Sequence, residues 1–197
     1  EIPCIHVGLL FILTNGEKKN MGFRIFLLTA LSSTFLHLSH SSKCDPEVMA
    51  KIEEYWNGKP PENLIETAIA HVKEVVVGTT HGYYPDCPTC VYSFFMPDRV
   101  LIAHVYGDGE TAVDVVPQIE EHGATYDPTT CTLRYHVYTK CNVTGFYTCT
   151  TYGEEGDARG AIKVRADGYD PAYVEEAKEV LKCIGVEITD EYPDHCC

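Results

Sequence analysis

Along most of the chain the apolar residues alternate with polar ones at a period of two, and only three stretches shift to the helical period. Seven segments read as strands on this pattern: 72–80, 90–96, 100–106, 112–119, 131–139, 143–152 and 161–166. The alternation is clearest in Cys131-Thr132-Leu133-Arg134-Tyr135-His136-Val137-Tyr138. There Leu133, Tyr135 and Val137 define a buried face, and Arg134 and His136 a wet one. Val100 to Val105 is apolar at successive positions, which predicts a strand covered on both sides. Gly107-Asp108-Gly109-Glu110 and Lys140 to Gly145 are short enough to join antiparallel neighbours as hairpins.

The helical stretches flank this region. Asp45-Pro46 supplies a capping carboxylate followed by a proline suited to the first turn, and Val48, Ile52, Tyr55 and Trp56 then recur on one face before Asn57-Gly58-Lys59-Pro60-Pro61 ends the run. Asp170-Pro171 repeats the signal ahead of Val174, Ala177, Leu181 and Ile184, with Glu175, Lys178 and Glu179 turned to water and Cys183 placed to tether the helix. A third helix is expected from Glu62 to about Ala70. The fold class is therefore mainly β: an antiparallel meander or β-barrel flanked by an N-terminal and a C-terminal α-helix, in a single domain over 42–197.

The first forty residues have a different character. Met-Gly-Phe-Arg at 21–24 places a positive charge before the nearly uncharged run Ile25 to Leu38, and small residues at Ser39 and Ser41 follow. This order is that of a secretory signal peptide over 21–41, too short to span a bilayer, with cleavage expected before Ser42. Residues 1–20 read as a non-native or fragmentary upstream segment. The protein is expected to be secreted and extracellular.

That processing alters the charge and cysteine counts. The chain has 197 residues, is 45% hydrophobic and carries a net charge of −14 with 10 cysteines. Loss of 1–41 removes two of 29 acidic residues (Glu1, Glu17) and three of 15 basic ones (Lys18, Lys19, Arg24), leaving 156 residues at −15. This balance disfavours a nucleic-acid backbone or an anionic membrane as partner and suits cationic ligands or basic proteins. Nine cysteines remain: Cys44, Cys87, Cys90, Cys131, Cys141, Cys149, Cys183, Cys196 and Cys197. In an oxidising compartment they are expected as disulfides, four bridges with one thiol left over near Cys196–Cys197. Asn142-Val143-Thr144 is a glycosylation sequon at a turn.

No motif points to catalysis, a metal or a cofactor. The six histidines after residue 41 form no zinc-ligand spacing, and Cys87-Pro88-Thr89-Cys90 has no second matching pair. No nucleophile elbow or phosphate loop is present, and the acidic pairs Glu120-Glu121 and Glu154-Glu155 lie beside glycines as solvated loops would. Aromatics on the strands offer more. In a barrel, Tyr92, Phe94, Tyr106 and Tyr135, together with Trp56, could line a cavity in which a buried carboxylate holds a cationic amine. Asp114, inside the strand Ala112-Val113-Asp114-Val115-Val116, is the candidate anchor.

Tyr126-Asp127-Pro128-Thr129-Thr130-Cys131-Thr132-Leu133-Arg134 resembles the Tyr-Asp, Cys and strand motif of the lipocalins of tick saliva, the histamine-binding-protein-like family. Val72 to Gly82 followed by Cys90-Val91-Tyr92 is similar to that family's first strand and the step after it, and a late helix before Cys196 or Cys197 also fits. The resemblance implies a non-enzymatic salivary protein that sequesters a small host ligand, a biogenic amine such as histamine or serotonin or a lipid, to suppress host defence. A second resemblance implies another class. Glu74-Val75-Val76-Val77-Gly78 is similar to the inhibitory loop of cystatins, which would make the chain a secreted protein-binding inhibitor of proteases, or a binder of host cytokines or chemokines.

Overall fold

A computed structural model describes residues 42–71, 73–152 and 156–193. Residues 1–41, where a signal peptide and an upstream segment are expected, and Cys196 and Cys197 lie outside the described residues.

The helices form where their caps dictate. Helix α1 spans Pro46–Trp56: Asp45 accepts a hydrogen bond from the Glu47 N–H, and Asn57 ends the helix in the left-handed region (φ 50°). Helix α2 spans Leu64–His71. Helix α3 spans Pro171–Ile184, with Asp170 capping its start and Gly185 (φ 95°) its end.

Among the described residues ten strands make one antiparallel sheet: β1 (Lys73–Thr79), β2 (Cys90–Phe95), β3 (Arg99–Val105), β4 (Thr111–Pro117), β5 (Ile119–Glu121), β6 (Ala124–Asp127), β7 (Thr132–Lys140), β8 (Val143–Thr150), β9 (Arg159–Arg165) and β10 (Asp190–Glu191). Their order is β4-β3-β2-β1-β9-β8-β7-β6-β5, with β10 added to β1. Pairing of β1 with β9 rolls the sheet round, and β4 approaches β6 across the remaining gap. The result is a nearly closed nine-strand barrel.

Two faces follow from the register. On one, Val75, Tyr147, Cys149, Ile162 and Val164 join Val48, Ile52 and Trp56 of α1 and Val174, Ala177 and Leu181 of α3 in one apolar core. This is the outer face, and burial of about a dozen aliphatic and aromatic side chains under two helices is the main stabilising term. Helix α2 contacts both β2 and β6, which lie far apart in the sheet order, so it crosses one end of the barrel. A disulfide between Cys44 and Cys149 fastens the segment ahead of α1 to β8.

Several expectations are corrected. A hairpin, β5–β6, occupies Ile119–Asp127, where Glu120-Glu121 suggested a loop. Its signal is hidden because the strands are three and four residues long and carry charge. Arg134 and His136 are not on a solvent face; they point into the barrel, on the side opposite Leu133 and Val137. The strand buried at every position is β8, whereas β3, beside the edge strand β4, buries only Val100 and Ala103. The cystatin-like segment Glu74-Val75-Val76-Val77-Gly78 lies in β1 with strands on both sides, so it cannot project as an inhibitory loop. Cys90 and Cys131 are disulfide-bonded, like Cys44 and Cys149, but Cys87, Cys141 and Cys183 carry free, exposed thiols where one leftover was expected. They sit on a loop, a hairpin turn and α3, and Cys183 points away from the core that α3 joins.

Strand β9 must approach β8 and the chain after α3 without a side chain at Gly160: a Cβ there would lie 2.5 Å from Val186 Cγ1 and 2.7 Å from the Phe146 carbonyl oxygen. Gly160→Ala is expected to destabilise the protein by about 2 kcal/mol or more, by overpacking against backbone. Gly107→Ala meets only Thr89 Cγ2 at 3.7 Å and should change little. Urea denaturation of the two variants checks this.

Candidate functional site

The inner face carries a set of residues that a solvent-excluded core would not tolerate. Register places Glu74, Ser93, Arg134, His136 and Lys163 on it with Val91, Phe95, Val100 and Phe146. Phe95, Ile102, Arg134 and His136 keep partial exposure although they point inward.

Charges concentrate toward the end that α2 crosses. Lys163 Nζ donates to Ser93 Oγ at 2.9 Å and lies 5.3 Å from the Phe95 ring and 5.4 Å from that of Phe146. Burial pulls its pKa down to about 8, against the opposing pull of Glu74; Arg134 adds to the lowering. Glu74, itself buried, meets His71 Nδ1 of α2 at 3.0 Å. Glu120 Oε2 accepts from the Ile65 N–H of α2 at 3.3 Å. Arg134, opposite Thr148 in the register and so nearer the other end, has its Nη1 buried without a hydrogen-bond partner.

The other end is ringed by aromatics. Tyr84, on the loop between β1 and β2, packs edge-on against His104 at 5.3 Å, and His104 Nε2 lies 3.2 Å from Asp114 Oδ2. Burial holds the Tyr84 phenol well above its ordinary pKa, with Tyr83, Tyr192 and Asp114 raising it further and Arg134 opposing. Tyr83 and Thr148 hydroxyls meet at 3.0 Å.

The six residues expected to bind ligand are divided by this geometry. Asp114 is on the inner face of β4, but its side chain is 53% exposed, since β4 borders the gap in the barrel. Tyr106 is near it at the mouth, its phenol raised by burial and then by Asp86 and Asp114. Tyr92, Phe94 and Tyr135 are on the outer face: Tyr92 and Phe94 sit under Lys73, and Tyr135 packs between Trp56 and Tyr147. Trp56 belongs to the outer core and borders an open cleft of about 440 Å³ between α1 and β7. The inward groups Lys163, Arg134, His136, Glu74 and Ser93 were not singled out as a site. Their signal was the interruption of apolar strands by charge, as in Ala161-Ile162-Lys163-Val164, which reads equally as a solvated face.

No protein-family model matches the chain, and no curated protein matches it. Among solved structures it is similar to lobster apocrustacyanin A1, at 15% identity over 80% of this chain and 93% of that one, with a TM-score of 0.52. Apocrustacyanin C1 is 15% identical over 78% of this chain and 91% of that one, with a TM-score of 0.53. The cockroach allergen Per a 4 is 13% identical over 62% of this chain and 83% of that one, with a TM-score of 0.51. The likeness is one of fold, and the fold is that of the lipocalins.

His136 offers a pH test of the enclosed interior. Burial lowers its pKa to about 4, with Lys163 and Arg134 adding to the lowering and Glu74 and Glu120 opposing it. Between the unfolded value of about 6.5 and pH 4, the unfolded chain binds a proton that the folded chain does not. Stability therefore falls as pH falls through this window, by on the order of 3 kcal/mol at its lower end. Urea denaturation across pH 4–7 should show a flatter slope for His136→Gln; an identical slope would mean the ring is protonated inside the folded barrel.

Proposed function

We propose that this lipocalin-fold chain is a secreted, non-enzymatic binding protein that sequesters a small host ligand inside its barrel. The observation that carries the reading is the inner face: partly exposed Phe95, Ile102, Arg134 and His136 between α2 at one end and Tyr84 at the other. Such a mix of apolar wall and few placed polar groups is what small-ligand sites present. The sequence resemblance to the lipocalins of tick saliva supports a role in suppressing host defence, with a lipid or a biogenic amine as the ligand. The lipid reading is favoured by the aromatic and aliphatic wall. The amine reading rests on Asp114 beside Tyr106 at the mouth, where a carboxylate and a ring face could hold a cation.

Calorimetric titration of the protein with oleate, histamine and serotonin tests the proposal, and binding of none of them removes it. Ile102→Trp, which fills the interior from β3, is expected to weaken binding about tenfold or more, whereas outer-face Val113→Trp leaves it unchanged. Asp114→Asn should weaken only the amines; equal loss of lipid and amine would mean that it acts through the fold.

The compartment has its own test. Asn142 lies in the β7–β8 turn with φ 67°, and its side-chain amide donates to the Gly168 carbonyl at the surface. We propose that it carries a glycan. Expression through a secretory pathway should yield a protein whose mass falls on treatment with an N-glycosidase, and Asn142→Gln should show no such fall.

A further inference from the structure

Helices α1 and α3 pack over β7, β8 and β9, and the outer sheet face runs on past them across β2, β3 and β4. There the register lines up two apolar rows. Phe94, Leu101 and Val115 form one, and Tyr92, Ala103 and Val113 the other. Exposure rises toward the edge strand: Ala103 is buried, Tyr92, Phe94 and Leu101 are half-buried, and Val113 and Val115 are 56% and 58% exposed. Two aliphatic side chains thus stand in water at the end of a continuous apolar surface, rather than singly among polar neighbours.

Two copies of a chain with a net charge of −14 repel each other over most of their surface, so association selects a face without acids. This face is one: at the outer positions of β2, β3 and β4 the single charged residue is Arg99. Its two ends carry opposite signs. At one, Arg99 and Lys73, whose Nζ lies 4.3 Å from the Tyr92 ring, outweigh Asp98, the acid paired with Arg99. At the other, the β3–β4 turn holds Asp108 and Glu110, both exposed. With about 3.3 Å per residue along β3 and about 4.8 Å between strands, the face measures on the order of 300 Å². An exposed apolar patch of that size marks an interaction surface, and with its charged ends it suits a weak, reversible contact.

We propose that a second copy of this chain lies on this face, in a two-fold dimer whose outer β2–β4 faces pack against each other with their strands antiparallel. A two-fold contact presents the same patch from both sides, so Val113 and Val115 of each copy are covered by the apolar rows of the other. Sheets packed face to face keep their strands within about 30° of alignment, which leaves a parallel and an antiparallel choice. The antiparallel one sets Arg99 and Lys73 of each copy against Asp108 and Glu110 of the other; the parallel one sets like charge on like. Nothing in the contact depends on what the barrel holds.

Sedimentation equilibrium across the micromolar range tests this on the protein and on surface variants. The protein is expected to pass from monomer to dimer in that range. Val113→Lys and Val115→Lys should each weaken the dimer about tenfold or more and leave the urea midpoint unchanged. Tyr55→Lys, at an exposed aromatic on α1, should leave association as it is. Arg99→Glu should weaken the dimer, and Arg99→Glu combined with Glu110→Arg should restore it, as antiparallel pairing requires. A monomer throughout, a dimer indifferent to both valine variants, or a dimer held only by a disulfide on a non-reducing gel overturns the proposal. So does a monomer that binds phosphatidylcholine vesicles and loses them with Val115→Lys, which would assign the face to a lipid surface. Failure of the double swap to restore association overturns the antiparallel arrangement.

Discussion

Burial of the outer sheet face under α1 and α3 is the constraint on which the other features depend. Val75, Tyr147, Ile162 and Val164 can reach Ile52, Ala177 and Leu181 in only one register, because a shift of one residue would turn every strand over. The helices thereby claim the more apolar half of each central strand. What remains on the other half is Glu74, Ser93, Arg134, His136 and Lys163, which water would otherwise solvate and which the barrel instead encloses. The interior is therefore mixed: these polar side chains share it with Val91, Phe95, Val100 and Phe146.

Close approach makes that arrangement possible. Gly160 brings β9 against Phe146 and Val186, and Gly123, at φ 73°, lets the β5–β6 turn pass within 2.6 Å, at its missing Cβ, of the Trp56 ring. Around the enclosed charges, displaced water has a consistent effect: the Lys163 ammonium and the His136 imidazolium are disfavoured, and the Tyr84 phenol is held protonated. Arg134 stays within electrostatic reach of all three and so links the deep charges to the mouth.

Much of the fold was legible along the chain. Asp45-Pro46 and Asp170-Pro171 marked both long helices because capping is a local interaction, and seven strands were visible because alternation persists over six or more residues. The β5–β6 hairpin was not visible, since Glu120 and Glu121 break its apolar pattern and its pairing with β7 supplies what propensity lacks. The site was less legible. Alternation separated Leu133, Tyr135 and Val137 from Arg134 and His136, but a period of two cannot say whether the polar side meets bulk water or a lumen.

The sequence by itself therefore determined the element types, their caps and the two sets of side chains on each strand, all of which depend on neighbours in the chain. Tertiary structure decided which set faces inward, because that depends on where α1 and α3 dock and on the β1–β9 pairing, made across some ninety residues, that rolls the sheet. It moved Tyr92, Phe94 and Tyr135 outside and turned Lys163 and Arg134, from separate strands, onto the same inner face.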